Sequence, residues 1–72
     1  NVSLFPNPAD EVFRIDGIVP DETLIYNALG QLVKSVNATN EVSVSDLPAG
    51  VYLLRITDND GNTITSRLSI SR

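Results

Sequence analysis

Seven short apolar or alternating runs follow one another along the chain, each closed by turn-forming residues. Val2 to Phe5 ends at the triplet Pro6-Asn7-Pro8. Two prolines around an asparagine cannot continue a hydrogen-bonded ladder, so a bend or crossover is expected there. Glu11 to Ile15 sets Phe13 and Ile15 on one face and Arg14 on the other. Thr23 to Asn27 has no clean period, because Leu24, Ile25 and Tyr26 are all sizeable. "ALG" follows, and Gly30 can take positive φ in a tight turn. Leu32 to Val36 is broken by Lys34. Glu41 to Ser45 alternates, with Val42 and Val44 inward and Ser43 and Ser45 outward. Leu47 ends that run's core contacts, Pro48 stops the ladder, and Gly50 is expected to permit a sharp turn. Val51 to Thr57 then places Tyr52, Leu54 and Ile56 in the core and turns Val51, Leu53, Arg55 and Thr57 the other way. "DNDGN", with Gly61, predicts a hairpin. The last run, Thr63 to Ser71, directs Ile64, Leu68 and Ile70 inward and Thr65, Arg67, Ser69 and Ser71 outward.

Seven strands at roughly ten-residue spacing, with no helix between them, predict an all-β fold. The expected architecture is a small immunoglobulin-like β-sandwich of about seven antiparallel strands, with a small closed barrel as the alternative. The chain lacks the cysteine pair and the tryptophan of true immunoglobulin domains. Its 72 residues are read as one domain, 1–72. Ordering a chain of this length costs on the order of 100 kcal/mol, at roughly 1.5 kcal/mol per residue. Apolar burial must offset that cost, since without cysteine or histidine neither a disulfide nor a zinc site of the usual kind is available. Cysteine usage assigns no compartment.

The net charge of −4 argues against nucleic acid and against an anionic membrane surface as partners. No run is long enough to insert directly into a membrane. The chain reads as a piece of a longer protein or a processed product. With no histidine and no cysteine nucleophile, and little room for a cleft that would shift carboxylate pKa values, it reads as a non-enzyme without a cofactor. Asp58, Asp60 and Asn62 are spaced like the first ligands of a calcium loop. The glycine comes too early, at Gly61, and Ser69 stands where a bidentate glutamate belongs, so a hairpin turn explains them better. "NVS" at Asn1 and "NAT" at Asn37 match a glycosylation pattern that is common by chance. Val51 and Leu53 face outward, and either a loop covers them or they form a contact surface.

Five stretches in order resemble the C-terminal sorting domain of the type IX secretion system. They are "VSLFPNPA" (Val2 to Ala9), "IYNALGQLVKS" (Ile25 to Ser35), "VSDLPAGVYLLRI" (Val44 to Ile56), the turn "DNDGN" and the end "TSRLSISR". Pro6, Asn7, Pro8, Gly30, Pro48, Gly50, Tyr52 and Gly61 carry the family's structural marks. The family often has lysines in its last strand, where this chain has Arg67 and Arg72. The resemblance implies a non-catalytic tail at the end of a cargo protein of a Bacteroidetes-type bacterium. The cargo would cross the periplasm and be exported through the outer-membrane translocon. A sortase-like cysteine protease would then remove the tail, leaving the cargo secreted or attached at the cell surface. Recognition is expected at Leu53 and Arg55 and along the last strand, Arg67, Leu68, Ser69, Ile70, Ser71 and Arg72. A fibronectin-like spacer and a carbohydrate-binding module are the rival readings. The second would need exposed aromatics, whereas most of the two tyrosines and two phenylalanines are expected in the core. Exchange of the opening strand between copies is a further conjecture.

Overall fold

The computed structural model describes residues 2–71. Its strands are β1 (Ser3–Phe5), β2 (Val12–Asp16), β3 (Pro20–Tyr26), β4 (Leu32–Asn37), β5 (Glu41–Ser43), β6 (Gly50–Asp58) and β7 (Thr63–Ile70). They form a three-stranded sheet, β1-β2-β5, and a four-stranded sheet, β4-β3-β6-β7. Every strand pair is antiparallel. The sheets keep separate edges, so the fold is the sandwich and not the closed barrel. β4 pairs with β3, whereas the fourth strand of a constant-type immunoglobulin domain lies beside the fifth.

The core lies where the two-residue periodicity sends it. Leu4, Phe13, Ile15, Val42 and Val44 come from the smaller sheet and its margins, and Ile25, Tyr52, Leu54, Ile56, Leu68 and Ile70 from the larger. Thr23 is buried with them, and its hydroxyl has no hydrogen-bond partner among the described residues. Ile64 keeps the inward position near the hairpin end but is only half-buried. Of the four aromatics, Phe13 and Tyr52 are buried, Tyr26 is half-buried and Phe5 is exposed. The expectation that most would be core therefore holds for half of them. Phe5 and Tyr26 lie on different sheets and make no common platform.

In β4 hydrophobicity and burial part company in the first half of the strand. Leu32 and Val33 are exposed, while Lys34 and Val36 occupy the half-buried positions. Lys34 reaches the Asp46 carboxylate at 3.0 Å and so ties β4 to the turn that follows β5. Its aliphatic stem can cover apolar surface while the ammonium finds a partner at the rim.

Two hairpin turns share one design. Asn27 Oδ1 accepts from the amides of Leu29 and Gln31, both at 3.0 Å. Asp58 Oδ1 accepts from those of Asp60 and Asn62, both at 2.9 Å. In each turn the glycine at the fourth position donates its N–H back to the first residue's carbonyl. Gly30 has φ +82° and Gly61 φ +88°. The amide of Asn62 is the main cause that holds the Asp58 pKa below its ordinary value, although burial acts the other way. The Asp58 oxygens are thus occupied by turn donors, which accounts for "DNDGN" as a turn. A Cβ at Gly61 meets nothing within 4 Å, so the cost of Gly61→Ala is purely conformational. That variant is expected to lose about 1 kcal/mol in urea unfolding, with the core unchanged.

The corner into β6 differs from expectation in one respect. The chain turns between Val44 and Leu47, where the Leu47 amide donates to the Val44 carbonyl at 3.0 Å, before Pro48 is reached. Gly50 is already the first residue of β6, opposite Ile70. The Tyr52 hydroxyl donates to the Pro48 carbonyl and fixes the corner. It lies at the entry to the sixth strand, where immunoglobulin-like sandwiches place a corner-forming tyrosine.

Candidate functional site

The outer face of the larger sheet is built by register. Leu53 lies opposite Arg67 and Arg55 opposite Thr65, with Tyr26 and Leu24 across β6 from Leu53 and Arg55. Val51 and Leu53 remain exposed, at 42% and 50%, so no loop covers them. They floor a cleft of about 350 Å³ walled by Ala28 and Gly30 of the β3–β4 turn and by Arg67. The sequence reading missed Leu24 and Tyr26 as members of this face. Their signal was the aperiodic third run, whose extra apolar residues lie half-buried on the outside.

The charges on the two outer faces differ. On the smaller sheet, Arg14 has Asp16 at 3.4 Å and Glu41 at 3.8 Å. On the larger sheet, Arg55 and Arg67 make no ion pair or side-chain hydrogen bond among the described residues. Glu22, opposite Thr57, is one diagonal step from Arg55 yet does not pair with it. Two uncompensated cations beside exposed aliphatics form a surface that can take both an apolar and an anionic contact.

Of the expected recognition residues, Leu53, Arg55, Arg67 and Ser69 share this face. Ser71 is exposed just beyond β7, and Arg72 lies outside the described residues. Leu68 and Ile70 correct the expectation. They are 0% and 3% exposed, because alternate residues of β7 point into the core, and they offer no side chain to a receptor while the domain is folded.

The Pro-Asn-Pro triplet belongs to the same end of the molecule. After β1 the chain crosses to the outer edge of β7, with both X–Pro bonds of the triplet cis. The Asn7 side chain behaves there like a peptide group of a neighbouring strand. Its Nδ2 donates to the Arg67 carbonyl at 3.1 Å, and its Oδ1 accepts from the Ser69 amide at 3.0 Å. Ala9 continues the pairing, donating to the Ser69 carbonyl and accepting from the Ser71 amide, both at 2.8 Å. Ala9 is fully buried, and its bridge to Ile70 is parallel. Pro6 and Pro8 lack the N–H that would compete for these acceptors.

The chain is 30% identical over 71 residues to Beta-agarase D of Zobellia galactanivorans, an alignment covering 97% of this chain and 15% of that protein. The chain thus spans under a sixth of that relative's length. A family model described as the secretion system C-terminal sorting domain matches residues 3–71, from the first residue of β1 to the last described residue. The chain belongs to the C-terminal sorting domain family of type IX secretion.

Proposed function

We propose that this domain is a non-catalytic export address, gripped by the type IX translocon on the outer face of β6 and β7. The coarse role follows from family membership: a secretion tail, carried by a protein that is secreted or held at the cell surface. The finer reading is that the tail ends a larger cargo protein, is read in its folded state at the outer membrane, and is then removed by a sortase-like cysteine protease. The observation that carries the assignment of the face is the pair Arg55 and Arg67, which lack partners among the described residues and flank exposed Leu53. Every other described cation is neutralised by a carboxylate.

The test is a reporter fused ahead of the domain in a type IX-secreting host. The intact fusion is expected in the medium, and the reporter without the domain is expected to stay in the cell. Changing both Arg55 and Arg67 to serine is expected to lower export about tenfold, the equivalent of roughly 1.4 kcal/mol of lost recognition. Unfolding of the isolated domain should be unchanged, since neither side chain contributes to the core. Export of the double variant at the wild-type level would place recognition elsewhere.

A further inference from the structure

Strand edges left with unpaired backbone groups invite pairing with another chain, and proteins blunt them by recognisable means. Three edges of this sandwich are blunted. β1 is three residues long and runs into Pro6, and β5 is also three residues long. β4 carries the inward-pointing Lys34, and its pairing with β3 is interrupted by a register shift at Ile25/Tyr26. The fourth edge, β7, is eight residues long, and Asn7 and Ala9 cover only its second half, from the Arg67 carbonyl onward. Because Arg67, Ser69 and Ser71 turn backbone groups toward that cover, the two-residue period turns those of Thr63 and Thr65 the same way. Among the described residues, the N–H and C=O of Thr63 and Thr65 and the N–H of Arg67 therefore form an open half-edge. No proline, bulge or inward charge interrupts it.

The same half-edge borders the unpartnered cations. Arg67 ends it, and Arg55 stands opposite Thr65 in its middle. A strand added beside β7 would alternate its side chains in phase with Thr63, Thr65 and Arg67 on the outer face. Acidic residues at those positions would meet Arg67 directly and Arg55 across Thr65. From this juxtaposition we infer that the Thr63–Arg67 half of β7 is a strand-addition site that takes an extended partner segment with acidic residues at alternate positions. Main-chain bonds would supply affinity, and the two arginines the selection for charge. The inference rests on the reading that the β6–β7 end is what the export apparatus grips, and it names the form of the grip.

Two experiments test it. In the first, amide exchange is followed on the domain with a synthetic Thr-Glu repeat peptide and, separately, with a Thr-Lys repeat peptide. The acidic peptide is expected to slow exchange at Thr65 and Arg67 at least about tenfold, an occupancy worth roughly 1.4 kcal/mol, and the basic one to leave it unchanged. Unchanged exchange with the acidic peptide would overturn the inference. So would protection that rises with protein concentration alone, since the edge would then pair with a second copy. In the second, Thr65→Pro removes an outward N–H while leaving the bonds between β6 and β7 in place. This variant is expected to unfold cooperatively like the wild type and to export the reporter at least about tenfold less, the same roughly 1.4 kcal/mol. A folded Thr65→Pro domain that exports normally, while deletion of the whole domain abolishes export, would overturn strand addition and leave the secretion role standing. If Thr65→Pro does not fold, the exchange experiment decides.

Discussion

Replacing Leu68 by alanine is expected to destabilise the domain by about 2–5 kcal/mol and to lower export by raising its unfolded fraction. Leu68 is fully buried in the strand expected to be recognised, and it sits opposite Tyr52 across the β6–β7 ladder. A chain of 72 residues has a stability of only about 4–11 kcal/mol, at roughly 0.05–0.15 kcal/mol per residue. One such cavity removes a large share of it. Arg67→Ser, one residue away, is expected to change stability by less than about 0.5 kcal/mol. Urea unfolding of the two variants side by side separates loss of export through the fold from loss through the surface. Equal destabilisation by both would mean that the alternation of β7 is wrong.

Asn7→Ala is expected to cost about 1–3 kcal/mol, the sum of two hydrogen bonds at roughly 0.5–1.5 kcal/mol each. Both bonds span about sixty positions of sequence, joining the crossover after β1 to β7. Their loss leaves the Ser69 amide and the Arg67 carbonyl without their cover and should raise amide exchange at Ser69 ahead of the rest of β7. Asn7→Asp is the informative control. It keeps an acceptor for the Ser69 amide but turns a second oxygen toward the Arg67 carbonyl, so it should be no better than alanine. If Asn7→Asp retains wild-type stability, the donor half of the clamp is immaterial.

The fold was largely legible because most strands have one buried face. Phe13 and Ile15, Val42 and Val44, and Tyr52, Leu54 and Ile56 all lie where alternation puts them. Alternation failed in β4, where a half-buried lysine with a partner in the turn after β5 replaces the expected apolar residue and Leu32 and Val33 face water. It was ambiguous in β3 because both faces there are partly covered. The outer face of β6 was legible for the same geometric reason as the core. What could not be read was which cations would lack a partner, since Arg14 and Arg67 look alike until register brings Glu41 beside one and Leu53 beside the other. The Pro-Asn-Pro triplet announced a crossover, and the two prolines explain why no ladder continues through it. That the asparagine side chain itself stands in for a peptide group depends on a contact with β7, sixty residues away.

Export is expected to read the outer face of the larger sheet in the folded domain. The most direct test is the export of one reporter carrying either the Arg55 and Arg67 serine pair or Arg14→Ser, each first shown to unfold like the wild type. The three arginines are all exposed, and they differ in the sheet that carries them. The Arg55 and Arg67 variant is expected to lose about tenfold in export, while Arg14→Ser is expected to export normally. Equal loss from both faces, or loss from Arg14→Ser alone, would contradict recognition at that face.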